Sequence, residues 1–370
     1  MNFKPCCLPT AIGSFPYSEP GPAIELVMRH FPKIPLWPQL PSAGQKEQMY
    51  IQFYEGIPGI TYDTEKKKLT AGIQDETFFE KAARTLTLAI EDRYAEFVMS
   101  VENARGFYYF LENFNGLKKE KPVMIKGQIT GPVSFSLVVT DENLKPVLYD
   151  ESYRELICAV LGMKAAWQIN EMKKICRDVL MFVDEPYMSS FGSSMIALSK
   201  DVATDMIKKV IKKIHENGAA SGLHCCGNTD WSILLCSGCG VISFDAYGYG
   251  ENFLLYPGEI IKFINSGGII AWGIVPTSED VYKENMDTLK NKLIFLVKKL
   301  ASFGIDESLI LRQSLITPSC GLGDVDVGRA ETVLELTAKL SDNLRSGEWM
   351  KDNGFRYSDF DIYNPVGKSL

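Results

Sequence analysis

The sequence predicts an α/β fold, a single (β/α)8 barrel with insertions after its second and third strands. Three observations carry that expectation. Eight short apolar runs alternate in order with longer segments of helical period, the pattern of a parallel sheet covered by helices. Polar and metal-ligating residue types gather at the ends of those runs, where barrels of this kind carry their chemistry. The chain has 370 residues, against the roughly 250 such a barrel needs, which leaves about 120 for insertions.

The first run is TAIGSF (10–15), and the helical stretch PGPAIELVMRHF (20–31) follows it, with prolines in its first turn. The second run, IPLWPQL (34–40), leads into the first insertion, 41–121, whose turn-rich and aromatic beginning (SAGQKEQMYIQFYEGIPGITYD) reads as a lid or substrate loop. The third run, PVMIKGQ (122–128), precedes the second insertion, 129–178, with a long helical pattern at 151–176. The fourth, VLMFVDE (179–185), ends on two adjacent carboxylates. A helix at 202–218 puts its apolar residues on one face and its lysines on a solvated one. ASGLHC (220–225), VISFDAY (241–247) and IIAWGIV (269–275) are the next three runs. A helical segment at 278–303 then leads to the eighth, SLITPSC (314–320), and VGRAETVLELTAKLSDNLRS closes the alternation. No linker-like break divides the chain, so residues 1–370 are expected to form one domain.

A net charge of −7 and a pI near 5.3 argue against nucleic acid or an anionic membrane as partner. No apolar run is long enough for a transmembrane helix, and MNFKPCCLPT lacks the apolar region of a secretory signal. Nine cysteines, an odd number without such a signal, read as reduced thiols in a cytoplasmic protein.

Ser14, Gln39, Gln128, Asp184, Glu185, His224, Cys226, Asp245 and Cys320 all fall at or just past the end of a run. Helix N-caps account for Ser and Asp at strand-to-helix turns, but not for a histidine and cysteines. GLHCCGNTD (222–230) holds one of only three histidines, with Cys226 two residues beyond it. That spacing is weak alone. Asp245 and Cys320, at other strand ends, complete a tetrahedral set of one imidazole, two thiolates and a carboxylate, which suits Zn²⁺. A core histidine beside small buried cysteines is the other reading. CSGC (236–239) could be a redox pair or half of a structural zinc site, although it falls at the end of a helical segment rather than at its start. Cys225 should point away from Cys226, because side chains alternate along a strand. Trp37, Tyr50, Tyr54, Tyr247 and Tyr249 either line a cleft or pack in the core.

Taken together, AIGSFP (11–16), GQITGPVSF (127–135), VDEP (183–186), LHCCGNTD and TPSCGLG resemble the catalytic barrel of cobalamin-independent methionine synthase. The related uroporphyrinogen decarboxylase-like zinc methyltransferases, which alkylate coenzyme M, share much of this pattern. The motifs span residues 11–323. The resemblance implies a zinc ion that holds the acceptor thiol as a thiolate while a methyl group is transferred to it. His224, Cys226 and Cys320 match three metal ligands, and Asp245 stands where the synthase has a glutamate. Asp184 matches the residue that binds the amino group of homocysteine, with Glu185 beside it as a second catalytic carboxylate. Ile12, Gly13 and Ser14 match the segment that holds the substrate carboxylate, and Gln128 joins the substrate-binding set. The synthase's second barrel and the tryptophan after the Gly-Pro turn have no counterpart here, which favours a methylated corrinoid, free or on a partner protein, over folate as donor. Two alternatives are a methylcobamide:coenzyme M-type transferase and a corrinoid- or metal-binding barrel without turnover. Porphyrin decarboxylation would need an arginine-rich motif where this chain has PLWPQLPSAG (35–44).

Overall fold

The computed structural model describes residues 3–192, 196–352 and Gly354, so residues 1–2 and 355–370 of the expected domain lie outside them. Nine strands are assigned among the described residues: β1 (Leu8–Pro9), β2 (Ile60–Asp63), β3 (Lys68–Ala71), β4 (Ile125–Thr130), β5 (Val179–Asp184), β6 (Ala220–Cys225), β7 (Val241–Phe244), β8 (Ile269–Val275) and β9 (Ser314–Pro318). Seven of them form one curled sheet in the order β1-β9-β8-β7-β6-β5-β4, every pairing parallel. β2 and β3 make a separate antiparallel hairpin within the first insertion.

The run at 34–40 is not a strand, and its prolines explain why. Pro35 and Pro38 lack the N–H that a ladder requires. What remains is a pair of isolated parallel bridges, Leu36 with Lys126 on β4 and Ser14 with Gln39 beyond β1. Lys126 N–H donates to Pro35 O (2.8 Å), Gln39 N–H to Gly13 O (2.8 Å) and Phe15 N–H to Gln39 O (2.9 Å). Residues 35–39 thereby link the two edges of the sheet. The first expected strand, 10–15, is likewise not a strand: the ladder strand β1 lies just before it at Leu8–Pro9, and of the expected run only Ser14 pairs, through an isolated bridge.

Helices cover the outer face: α1 (Pro20–His30), α2 (Glu76–Ile90), α3 (Arg105–Leu117), α4 (Pro132–Val138), α5 (Glu151–Met172), α6 (Lys200–Glu216), α7 (Trp231–Leu235), α8 (Ala246–Phe253), α9 (Pro257–Asn265), α10 (Met286–Ala301), α11 (Glu307–Arg312) and α12 (Val327–Ser346). On α6 the buried positions Ala203, Met206, Ile207, Val210, Ile211 and Ile214 recur at helical spacing, and Ser199 caps its first turn. No described helix is long and apolar enough to cross a membrane.

The sheet has two apolar faces. The outer one packs against the helices in the main core. The inner one holds a smaller cluster: Leu8, Ile12, Ile34, Met124, Leu180, Phe182, Val241, Ile269, Ala271 and Leu315. Alternation along the strands then directs Lys126, Gln128, Thr130, Asp184, His224, Ser243 and Thr317 to the inner side as well.

Candidate metal centre

His224 is the last inner-facing residue of β6, and Cys226 follows one residue past the strand. Cys320 lies two residues past the end of β9, in the turn of PSCGLG. Parallel strands in register place the two turns at the same rim of the sheet. One imidazole nitrogen and the two Sγ atoms come within 4.8 Å of one another. His224 Nδ1 is hydrogen-bonded to Ser243 Oγ (3.0 Å), while its Nε2 is buried and has no partner. A histidine whose far nitrogen is oriented and whose near one is left open is arranged as a metal ligand.

The sulfurs titrate as a pair. The Cys320 thiol beside it, helped by His224 and opposed by burial, holds the Cys226 thiol well below the ordinary thiol range. Cys320 is pushed up by the Cys226 sulfur and by burial, because the second proton would leave against an existing negative charge. A divalent cation removes that conflict, since both thiolates can then ionise.

Three more inner-facing atoms at this rim are buried without a hydrogen-bond partner: Asp184 Oδ1, Thr130 Oγ1 and Thr317 Oγ1. Burial raises the Asp184 carboxyl above its usual range, with His224 and Lys126 pulling the other way. Orphaned polar atoms converging on one space mark a place for a polar ligand.

The remaining expected site residues occupy other positions. Glu185 turns to the opposite side of the sheet from Asp184, and its carboxylate accepts from Val133 N–H (2.9 Å), Ser134 N–H (2.8 Å) and Ser134 Oγ (2.6 Å) at the start of α4. Burial, against those hydrogen bonds, brings its pKa up to about 7. Asp245 caps α8 by accepting from Gly248 N–H (2.7 Å) and is not among the three clustered ligands. Ser14 Oγ accepts from Gly323 N–H (3.2 Å) and Ser14 O from Leu322 N–H (2.9 Å), so the AIGSFP segment is laced to the turn that carries Cys320. A side chain at Gly321 would run into Ser14 Oγ, which is why that turn is glycine-rich. Ile12 belongs to the inner apolar cluster. A Cβ on Gly13 would stand 2.7 Å from Gln128 Cδ, and Gln128 itself is buried and donates to Trp37 O (3.1 Å).

Cys225 lies in the main core, opposite in direction to its neighbours in sequence. In CSGC, Cys236 is exposed and Cys239 is buried, its thiol raised to about 12 chiefly by burial, which does not favour thiolate chemistry. Trp37 faces α5, donating to Gln168 Oε1 (3.2 Å), and does not line the rim. Tyr50, from the first insertion, meets Tyr187 with ring centroids 6.1 Å apart. Tyr54 packs with Tyr62 inside that insertion. Tyr247 bonds Glu284 (2.8 Å) under the ammonium of Lys292, and Tyr249 is half-buried on α8.

One residue of the inner face escaped the sequence reading. Lys126 is fully buried, with Nζ 4.4 Å from the Phe182 ring centroid and 3.5 Å from Gln128 Oε1. The available signal was a lysine directly after the apolar PVMI, inside a strand-like run.

No protein-family model matches the chain, and no curated protein does. Among solved structures, a protein from Listeria monocytogenes described as a candidate vitamin-B12 independent methionine synthase is similar over 64% of this chain and 69% of its own. The identity is 16% and the TM-score 0.44. A likeness of that extent bears on neither chemistry nor substrate.

Proposed function

We propose that this chain is a single-domain (β/α)8 S-methyltransferase of the cobalamin-independent methionine synthase type, with residues 35–39 in the eighth strand position. It transfers a methyl group to a zinc-activated, homocysteine-like thiol, with a methylated corrinoid as the donor. The observation that supports this most is the meeting of His224, Cys226 and Cys320 from two distant segments, next to the unpartnered Asp184 Oδ1.

The donor set fits zinc. Zn–S near 2.3 Å and Zn–N near 2.0 Å put tetrahedral ligand atoms roughly 3.5–3.8 Å apart, inside the 4.8 Å spread of the cluster. Three protein ligands and one exchangeable position are the catalytic pattern. When bound, the metal would supply the Lewis acidity that keeps an added thiol ionised at neutral pH. The chain's own residues do the rest. Asp184 Oδ1 receives the ammonium of an amino-acid thiol, and the Gly13–Ser14 backbone, fixed by Leu322 and Gly323, holds its carboxylate. Ser243 keeps the His224 ring in orientation. In the reaction an S–C bond forms as the methyl–carrier bond breaks, and the electron pair of the broken bond stays with the carrier. Asp245, one strand away, caps α8 beside the three ligands and leaves the fourth position to the substrate.

Metal analysis of the purified wild type beside His224→Ala and Cys320→Ser, followed by assays with methylcobalamin and several thiols, tests the proposal. About one zinc per chain, absent from both variants together with methyl transfer, is the expected result. No metal bound or taken up by the wild type would refute it. Zinc without methyl transfer to any thiol would favour a metal-binding barrel instead.

A further inference from the structure

Lys126 is a charged group on the inner face that the chemistry above leaves unused. It is fully buried, and among the described residues no carboxylate lies within 4 Å of its ammonium. A lysine in such a place is costly to the fold, and an apolar residue there would join the cluster of Leu180, Phe182 and Met124 around it. Its position is specific. The register sets Lys126 beside Leu180, but the side chain reaches toward the rim, over the Phe182 ring and up to Gln128 Oε1. Gln128 in turn presses against Gly13, where even a Cβ would not fit. The ammonium and the Gly13–Ser14 segment therefore meet the same side chain, that of Gln128, which stands between them. Asp184, the other charged inner group of this layer, stands on the neighbouring strand with its free oxygen at the rim.

We propose that Lys126 is a positioning residue that sets specificity: a fixed cation across Gln128 from the Gly13–Ser14 segment that makes the site select thiols with an anionic tail, carboxylate or sulfonate. This rests on the thiol-acceptor reading above. The site then presents both signs, Asp184 to an ammonium and the field of Lys126 to an anion, through a medium that screens poorly. Burial lowers the Lys126 pKa to about 8, partly restored by Asp184, which leaves the side chain largely cationic at neutral pH.

The test compares binding of three thiols to the zinc-loaded protein by calorimetry at pH 7: 4-mercaptobutyrate, 2-mercaptoethanesulfonate and the neutral 4-mercaptobutan-1-ol. Wild type is expected to prefer at least one anionic thiol over the neutral one by about tenfold or more. Whichever anion is preferred identifies the tail. Lys126→Met should abolish the preference while leaving the affinity for the neutral thiol and the zinc content unchanged, and Lys126→Arg should restore it. A Lys126→Met protein that keeps the preference overturns the proposal. So does an equal loss for all three thiols, or a loss that arginine fails to rescue, since a purely structural lysine behaves that way. A wild type that binds all three alike overturns the role of Lys126 and spares the thiol-acceptor reading, whereas one that holds zinc and binds none overturns both.

Discussion

The inner face of the sheet is built in two ways. Its floor, around Leu180, Phe182, Val241 and Leu315, is apolar and closely packed, and Gly222 is glycine because the Phe182 ring occupies the space of a side chain. Its rim carries His224 Nε2, Asp184 Oδ1, Thr130 Oγ1 and Thr317 Oγ1, all buried and none with a partner. The same strands supply both, only two to four residues apart. A buried polar group without a hydrogen bond costs about 1–3 kcal/mol, so the rim is a net expense to the fold that the floor offsets. The contrast separates what holds the curled sheet together from what its rim offers to a ligand.

Substitutions that act on one region and spare the other sharpen this contrast, and the largest effect is expected at the rim. Cys226→Ser should take metal content from about one per chain to near none, whereas Cys225→Ser should keep the metal and lose roughly 1–3 kcal/mol of stability, because its hydroxyl would be buried in the outer core. Equal metal loss in both would break the assignment. On the floor, Phe182→Ala removes a fully buried ring and should cost about 3–5 kcal/mol by denaturant titration, while the folded fraction still binds metal. A floor variant that folded normally but lost the metal would show that the two regions are not separable.

The rim was legible in the sequence to the extent that residue type announces chemistry. A histidine and cysteines at strand ends are hard to explain as caps, and His224, Cys226 and Cys320 stand out for that reason. Carboxylates were harder. Asp184 and Glu185 are adjacent and alike, but the two-residue period of a strand sends one to the rim and the other to the start of α4. Asp245 reads equally well as ligand or cap, and its bond to Gly248 N–H is a cap's. The order of the elements was readable from periodicity. The weakness of residues 34–40 as a strand was written in Pro35 and Pro38, but an apolar run conceals it. Lys126 was passed over because a lysine ordinarily signals a surface, although it stands inside a strand-like run, and only the curled sheet reveals what its side chain faces.

A smaller effect is expected where the rim is joined to the segment beside it. Gly321→Ala would drive a methyl group into Ser14 Oγ and force the Cys320 turn away from the AIGSFP segment. We expect a loss of about 1–3 kcal/mol, with weakened thiol binding as its distinguishing mark. Unchanged binding in a stable Gly321→Ala protein would mean that Ser14 and the Cys320 turn are not coupled.

The smallest effect concerns Glu185, the carboxylate that faces away from the rim. Its folded pKa of about 7 is raised above the ordinary value of 4.5, so the folded state holds a proton that the unfolded state has released between those limits. The stability contributed by that proton is fully present below the unfolded value and is lost as pH rises through about 7. Wild type should therefore lose on the order of 1 kcal/mol more than Glu185→Gln between pH 5.5 and pH 8, read as the shift of the urea midpoint. Metal content should be the same in both, because both carboxylate oxygens are engaged at the start of α4. If Glu185→Gln instead lost the metal or methyl transfer at unchanged stability, Glu185 would belong to the rim after all, and the division of the VDEP pair between catalysis and support would have to be redrawn.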